Sequence, residues 1–221
     1  MRGVAGFGSG LIAVPLLTLI APITTVVPLI ACLDYVGSIS QGLKNRREIA
    51  WGEFVWLWPF MAVGIALGLY LLKNVPTQHL AKALGIFVLV YAVYQLISLP
   101  KFNVSRIAAT YCGVLGGMVG TLFNSGGPFY VIYLTMRGLQ KNAFRATFAT
   151  NYLVDGGIRL AAYAFAGLVG ATLFGDIVLA LPLAVAGLWI GGRVHVSLPQ
   201  RVFVRVISAL LLVSGTLLLM K

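Results

Sequence analysis

The sequence predicts an all-α integral membrane protein of about eight hydrophobic segments in two repeats of four, with the first and fifth segments broken or re-entrant. Three observations predict this. The 221 residues are 60% hydrophobic and only 10% charged, with a mean hydropathy of +0.97, whereas a soluble domain carries roughly 25% charged residues. Pro59, Gly64, Gly68 and Pro76 recur at identical spacing as Pro182, Gly187, Gly191 and Pro199. Each set follows a related glycine–serine element: Phe7-Gly8-Ser9-Gly10 early in the chain and Phe123-Asn124-Ser125-Gly126-Gly127-Pro128 in the middle. The repeats are residues 1–98 and 106–221, joined by a linker at 99–105 that carries Pro100 and Lys101.

A spanning helix needs about 20 apolar residues, and apolar runs between charges and turn residues divide the chain accordingly. The first run, 3–21, stops at Pro22, and the second, 24–42, stops at Lys44-Asn45-Arg46-Arg47. The third, 54–73, opens on the aromatic cluster Trp51, Phe54, Trp56, Trp58 and Phe60, which reads as an interfacial belt. It closes at Lys73-Asn74, and the fourth, 79–98, runs to the linker. The fifth covers 106–136, the sixth 142–166, the seventh 174–194 and the eighth 201–220.

The fifth segment is too long for one span. No charge lies between Arg106 and Arg137, and ~30 helical residues would run ~45 Å against a hydrocarbon core of ~30 Å. Asn124-Ser125-Gly126-Gly127-Pro128 interrupts it, so it is either one tilted broken helix or a pair that returns to the side it entered from. The first segment reads as the same object without its leading half. Charge favours the returning pair. With it, the loops holding Lys44, Arg46, Arg47, Lys101, Arg106, Arg137, Lys141, Arg145, Arg193 and Arg201 share one face, and only Lys73 and Lys82 stand apart. That arrangement inverts the second repeat relative to the first; a parallel duplication remains the alternative.

The formal charge of +11 is accounted for by basic cytoplasmic loops, and it also suits an anionic substrate. No nucleic-acid partner is expected. Cys32 and Cys112 lie in apolar segments without a Cys/His cluster, which excludes a metal site or structural disulfide from the expectation. His79 and His195 occupy unmatched loop positions and read as interfacial residues. No cofactor and no cleavable leader are expected, since Met1-Arg2 runs straight into the first repeat element. The lipid bilayer is the expected surrounding, with the paired Gly-xxx-Gly faces explained by close helix crossing inside a protomer or in a homo-oligomer.

The breaks carry the chemistry. Non-helical backbone at membrane depth leaves NH and C=O groups that something else must satisfy, and a helix restarting after a break points free NH groups and part of a positive charge at that spot. Gly8, Ser9 and Gly10 would then face Ser125, Gly126 and Gly127 as two anion cradles, with Asn124 and the serine hydroxyls as extra donors. Close helix packing also enriches Gly and Ser; two matched copies favour a site. In the sixth segment Thr147, Asn151, Asp155 and Arg159 recur at steps of four on one helical face. Asp155 and Arg159 are spaced to pair with each other, and Arg159 is otherwise suited to fork onto anion oxygens. Asp34, roughly in register with Asn151 and on a face with Ser38 and Gln41, suggests either proton coupling or a helix–helix hydrogen bond. Asp155 is the other candidate for coupling.

The Gly-Phe-Gly-Ser-Gly…Pro opening, the Phe-Asn-Ser-Gly-Gly-Pro midpoint and the duplicated four-segment plan resemble the TauE/SafE, or sulfite exporter, family of membrane anion transporters along nearly the whole chain. The chain departs from the usual pattern in its short, less glycine-rich first segment. The resemblance implies a multi-pass inner-membrane protein of bacteria or archaea. It also implies a secondary transporter, not an enzyme, that carries sulfite, sulfoacetate or other organosulfonates by alternating access at the paired breaks. A passive anion channel, or a carrier of another small carboxylate or inorganic anion, is the alternative. An intramembrane enzyme would need a nucleophile–base or metal cluster, which the sequence lacks, and a scaffold would have no use for matched breaks.

Overall fold

A computed structural model describes residues 9–42, 48–96, 105–170, 175, 177, 180 and 200–220. Every regular element among the described residues is a helix: α1 (Ser9–Thr18), α2 (Ile23–Gly42), α3 (Trp51–Asn74), α4 (Thr77–Leu96), α5 (Ala108–Phe123), α6 (Gly127–Met136), α7 (Lys141–Phe165) and α8 (Gln200–Met220). Gly8, most of the expected seventh segment with Gly187 and Gly191, and the linker up to Val104 lie outside the described residues. Trp51–Asn74 and Thr77–Gln95 are both long and apolar enough to cross a bilayer. Away from the α3–α4 connection, where Lys73, Gln78, His79 and Lys82 are exposed, the large exposed side chains are mainly apolar: Val55, Val63, Leu67 and Tyr70 on α3, and Ile86, Val90 and Val93 on α4. Such an outer surface suits lipid rather than water. Trp51, Trp56 and Trp58 are also exposed, all near the start of α3, where the belt was expected.

Helices α3 and α5 run parallel and almost backbone to backbone. A Cβ on Gly68 would lie 2.8 Å from the Met118 carbonyl oxygen, and one on Gly113 would lie 2.8 Å from Phe60 Cβ; Gly64 and Gly117 are pressed harder still against Val114 and Met61. Small residues on both partners make this approach possible, so the Gly64–Gly68 face is used within the chain. Gly64→Leu is expected to force the two helices apart at a cost of about 1–3 kcal/mol, readable as a lower unfolding temperature in detergent; an unchanged temperature would refute the packing. Helices α4 and α8 run antiparallel, with Gly85 on Gly215 and Gln95 accepting a hydrogen bond from Ser208 at 3.4 Å.

The expected interruption of the fifth segment is present: α5 stops at Phe123 and α6 begins at Gly127. The two helices then fold back on each other. Gly126 abuts Gly116 and Gly120, and the Tyr130 ring covers Gly116. Their outer ends also meet one helix, because Glu53 at the start of α3 pairs with both Arg106, just before α5, and Arg137, just after α6. The start of α7 reaches the same end of the molecule, where Thr147 Oγ1 accepts the Ala50 N–H at 2.9 Å. Thr18, Ile23, Thr77, Gln78 and Leu218 line a cavity of about 280 Å³ at the end of α1, the starts of α2 and α4 and the end of α8. Pairing and cavity mark the two opposite ends of the bundle.

Two apolar clusters surround the break. One joins α1, α2, α4 and α8 through Val14, Val27, Leu84 and Leu211 and takes in Phe123; the other joins α3, α6 and α7 through Met61, Tyr130, Tyr133 and Phe148.

Candidate functional site

Local chemistry shapes the break. Asn124 has φ 52° and ψ 29°, the only positive φ outside glycine among the described residues, and asparagine is one of the few side-chain-bearing residues that tolerates this left-handed region. Its N–H still bonds to the Gly120 carbonyl at 2.9 Å, ending α5. Ser125 turns its hydroxyl back onto the Phe123 carbonyl at 2.9 Å. Pro128 then sits in the first turn of α6, where its missing N–H is no loss. Gly10, in α1, closes the other side: a Cβ there would lie 2.5 Å from the Asn124 carbonyl oxygen and 2.7 Å from its Nδ2. The two glycine–serine elements, far apart in sequence, therefore meet at Gly10 and Asn124.

The Asn124 side chain joins three helices. Its Nδ2 donates to Asp34 Oδ2 of α2 at 2.9 Å, and its Oδ1 accepts from Arg159 Nη1 of α7 at 2.8 Å. The same Nη1 donates to the Gly120 carbonyl at 2.5 Å, while Nη2 pairs with Asp155 one turn earlier. Asp155 Oδ1 accepts the Tyr130 hydroxyl at 2.9 Å, and the Tyr163 hydroxyl donates to the Thr121 carbonyl at 2.6 Å. All of this is out of water: Asp34, Asn124, Ser125, Asp155 and Arg159 are each no more than 6% exposed. Charges taken so far from solvent need partners, and the network joins one guanidinium to two carboxylates.

Two groups in it remain unsatisfied. Asn151 is wholly buried on the α7 face that carries Asp155 and Arg159, yet neither its Oδ1 nor its Nδ2 has a hydrogen-bond partner among the described residues, and the same holds for Arg159 Nε. A second polar cluster closes the outer end of the hairpin. Tyr133, Arg137 and Arg106 converge on Glu53. The hydrogen bond to that carboxylate raises the Arg137 guanidinium above its ordinary range.

Set against the sequence expectations, Gly10, Asn124, Ser125, Gly126, Gly127, Asp34, Asp155 and Arg159 gather around one break, with Asn151 on the adjoining turn. Ser9 opens α1; Gly8 lies outside the described residues. The expected Asp155–Arg159 pair is formed, and Asp34 makes the interhelical hydrogen bond that was one of its two readings. The donors read as extra anion ligands are engaged in this state, Asn124 Nδ2 with Asp34 and the Ser125 hydroxyl with Phe123, and of the two readings of Arg159 the structure has the pairing one, its fork holding Asp155, Gly120 and Asn124. The sequence reading passed over Tyr130, Tyr163, Gly120 and Glu53. Glu53 carried a usable signal, being one of five acidic residues in the chain; the tyrosines, set in apolar runs, carried none.

The family model described as sulfite exporter TauE/SafE matches residues 1–218. The chain belongs to the TauE/SafE family. A TauE/SafE protein is an integral, multi-pass component of the inner membrane, and its apolar helices and lipid-suited outer surface agree with that. A curated relative, the probable inner membrane transporter protein TsaS of Comamonas testosteroni, is 26% identical over 191 residues, covering 85% of this chain and 80% of the relative. Family and relative together support a transporter function. No solved structure matches this TauE/SafE chain.

Proposed function

We propose that this chain is a secondary transporter of small sulfur-containing anions, such as sulfite, sulfoacetate or another organosulfonate, working by alternating access at its paired broken helices, and that it is not an enzyme. The observation that carries the reading is the meeting of Gly10 with Asn124 beside Arg159, deep in the bundle and at the interruption between α5 and α6. Half-helix ends at such a position are what transporters use to hold ions. The family description supports a sulfur oxyanion as cargo.

In this reading the α5–α6 hairpin is re-entrant: it enters and leaves on the side of Glu53, Arg106 and Arg137. Helix α6 ends on that side and α1 on the opposite one; α2 and α7 likewise run in opposite directions. This supports residues 1–98 and 106–221 as inverted repeats about the break. The anion is held by the backbone NH groups of Gly10 and of Ser125, Gly126 and Gly127, with Ser9, Asn124, Asn151 and Arg159 completing the lining. Asp34 or Asp155 takes up a proton when the anion enters, since two carboxylates otherwise outnumber the single guanidinium. The present state is occluded: Asn124, Ser125 and the Arg159 Nη groups are taken up by the protein's own acceptors, while Asn151 and Arg159 Nε stay unpartnered among the described residues.

Asn151 supplies the test. A buried amide with no partner costs about 1–3 kcal/mol, so it is maintained against folding stability. Asn151→Leu is expected to raise the unfolding temperature of the purified protein without anion. The shift that sulfite, thiosulfate, sulfoacetate or taurine produces in the wild type should be lost in the variant. Saturable, gradient-dependent flux of the same anion into proteoliposomes should fall with it. Affinity equal in variant and wild type would remove Asn151 from the site, and a wild type that responds to none of the four sulfur compounds would overturn the cargo assignment.

A further inference from the structure

We propose that Glu53 is a positioning residue that holds the base of the α5–α6 hairpin against α3 and thereby closes the passage from the basic end of the molecule to the break at Asn124. This inference rests on the transporter reading above and names the element that regulates access to the same site.

Glu53 lies in the first turn of α3 and is only 7% exposed. Its Oε2 accepts the Tyr133 hydroxyl at 2.5 Å and Arg137 Nε at 3.0 Å, and its Oε1 accepts Arg137 Nη2 at 2.9 Å and lies 3.5 Å from Arg106 Nε. The Arg137 contact is a two-pronged fork, the strongest and most directional form of this pair. Both arginines flank the hairpin, one just before its entry and one just after its exit. A single carboxylate thus fastens the two ends of one broken element to a long helix.

The hairpin needs such a fastening. Helix α6 has 10 residues, roughly 15 Å of helix, and cannot anchor itself across a ~30 Å hydrocarbon layer. It is held at the tip by the Asn124 bonds to Asp34 and Arg159, and at the base by Glu53. Tip and base are joined along α6 itself. Tyr130 and Tyr133, both fully buried and three residues apart, share one helical face; Tyr130 donates to Asp155 and Tyr133 to Glu53. A movement of α6 that frees Tyr133 from Glu53 carries Tyr130 away from Asp155, which loosens the partner of Arg159. The same movement releases the Arg137 and Arg106 guanidinia, already partly exposed, from their shared carboxylate at the mouth of the passage, where they would meet an incoming anion.

The test reads access and needs no anion. Ser125→Cys, in a chain whose two cysteines are replaced by Cys32→Ala and Cys112→Ala, is labelled with a membrane-impermeant maleimide applied to inside-out vesicles. Glu53→Gln is expected to speed labelling at least about fivefold, the low end of coupling through a two-state element. The exchange Glu53→Arg with Arg137→Glu should return the rate towards that of the parent. An unchanged rate in Glu53→Gln overturns the proposal, even if its unfolding temperature falls. If Glu53→Gln is not recovered folded, Tyr133→Phe, which removes one of the four contacts, is read in the same way: faster labelling supports the gate and an unchanged rate overturns it. A wild type that fails to carry sulfur anions would overturn the cargo assignment and leave this readout intact.

Discussion

Replacing Arg159 with glutamine is expected to destabilise the protein by about 3–5 kcal/mol, the cost of leaving a buried charge without its partner. Arg159 is 2% exposed and binds Asp155, Gly120 and Asn124 at once. In Arg159→Gln the Asp155 carboxylate keeps only the Tyr130 hydroxyl among its side-chain partners described above. The loss should appear as a lower midpoint in denaturant-induced unfolding in detergent, together with loss of anion flux. The double variant Asp155→Asn, Arg159→Gln removes both charges and should recover a large part of the stability but none of the flux. If the single variant unfolds like the wild type, the network does not bear on folding; if the double variant transports, Arg159 does not act on the anion.

Asn124→Ala is expected to be at least as damaging, at about 4–8 kcal/mol, since each of its two hydrogen bonds to a charged group contributes about 1.5–3 kcal/mol and a left-handed alanine adds about 1–2 kcal/mol of strain. Both side-chain bonds of Asn124 are to charged groups. Asn124→Gly separates the two contributions, because glycine takes φ 52° freely but restores neither bond; it should recover about 1 kcal/mol and no anion binding. Asn124→Asp should keep an acceptor for Arg159 while setting a second carboxylate against Asp34. Thermal unfolding of the three variants with and without sulfite gives the comparison. Equal unfolding of Asn124→Ala and wild type would mean that the break is held by packing alone.

What could be read from the chain was local. A glycine–proline cluster inside an uncharged run signals an interruption wherever it occurs, so the stop at Phe123 and the restart at Gly127 were legible. Asp155 and Arg159, one turn apart on one helix, announce their own pairing. The partners of these groups were not legible. Asn124 meets Asp34 across 90 positions and Arg159 across 35, and no spacing rule reaches so far. The two tyrosines of α6 are invisible for another reason: in an apolar run their rings satisfy the hydrophobic pattern, and only the fold reveals what their hydroxyls are for. Gly64 and Gly68 called for a close neighbour without saying which helix would supply it, and that neighbour proved to be α5.

The bonding of Asn124 also bears on how the protein is made. Ribosomes deliver Asp34 long before this amide and Arg159 well after it, so the turn emerges with a donor site satisfied and an acceptor waiting for a guanidinium not yet synthesised. Lipid offers no substitute for that missing partner. The segment must therefore be sheltered by the insertion machinery, or wait at the aqueous boundary, until α7 has been translated, which makes its final seating a late event in biogenesis.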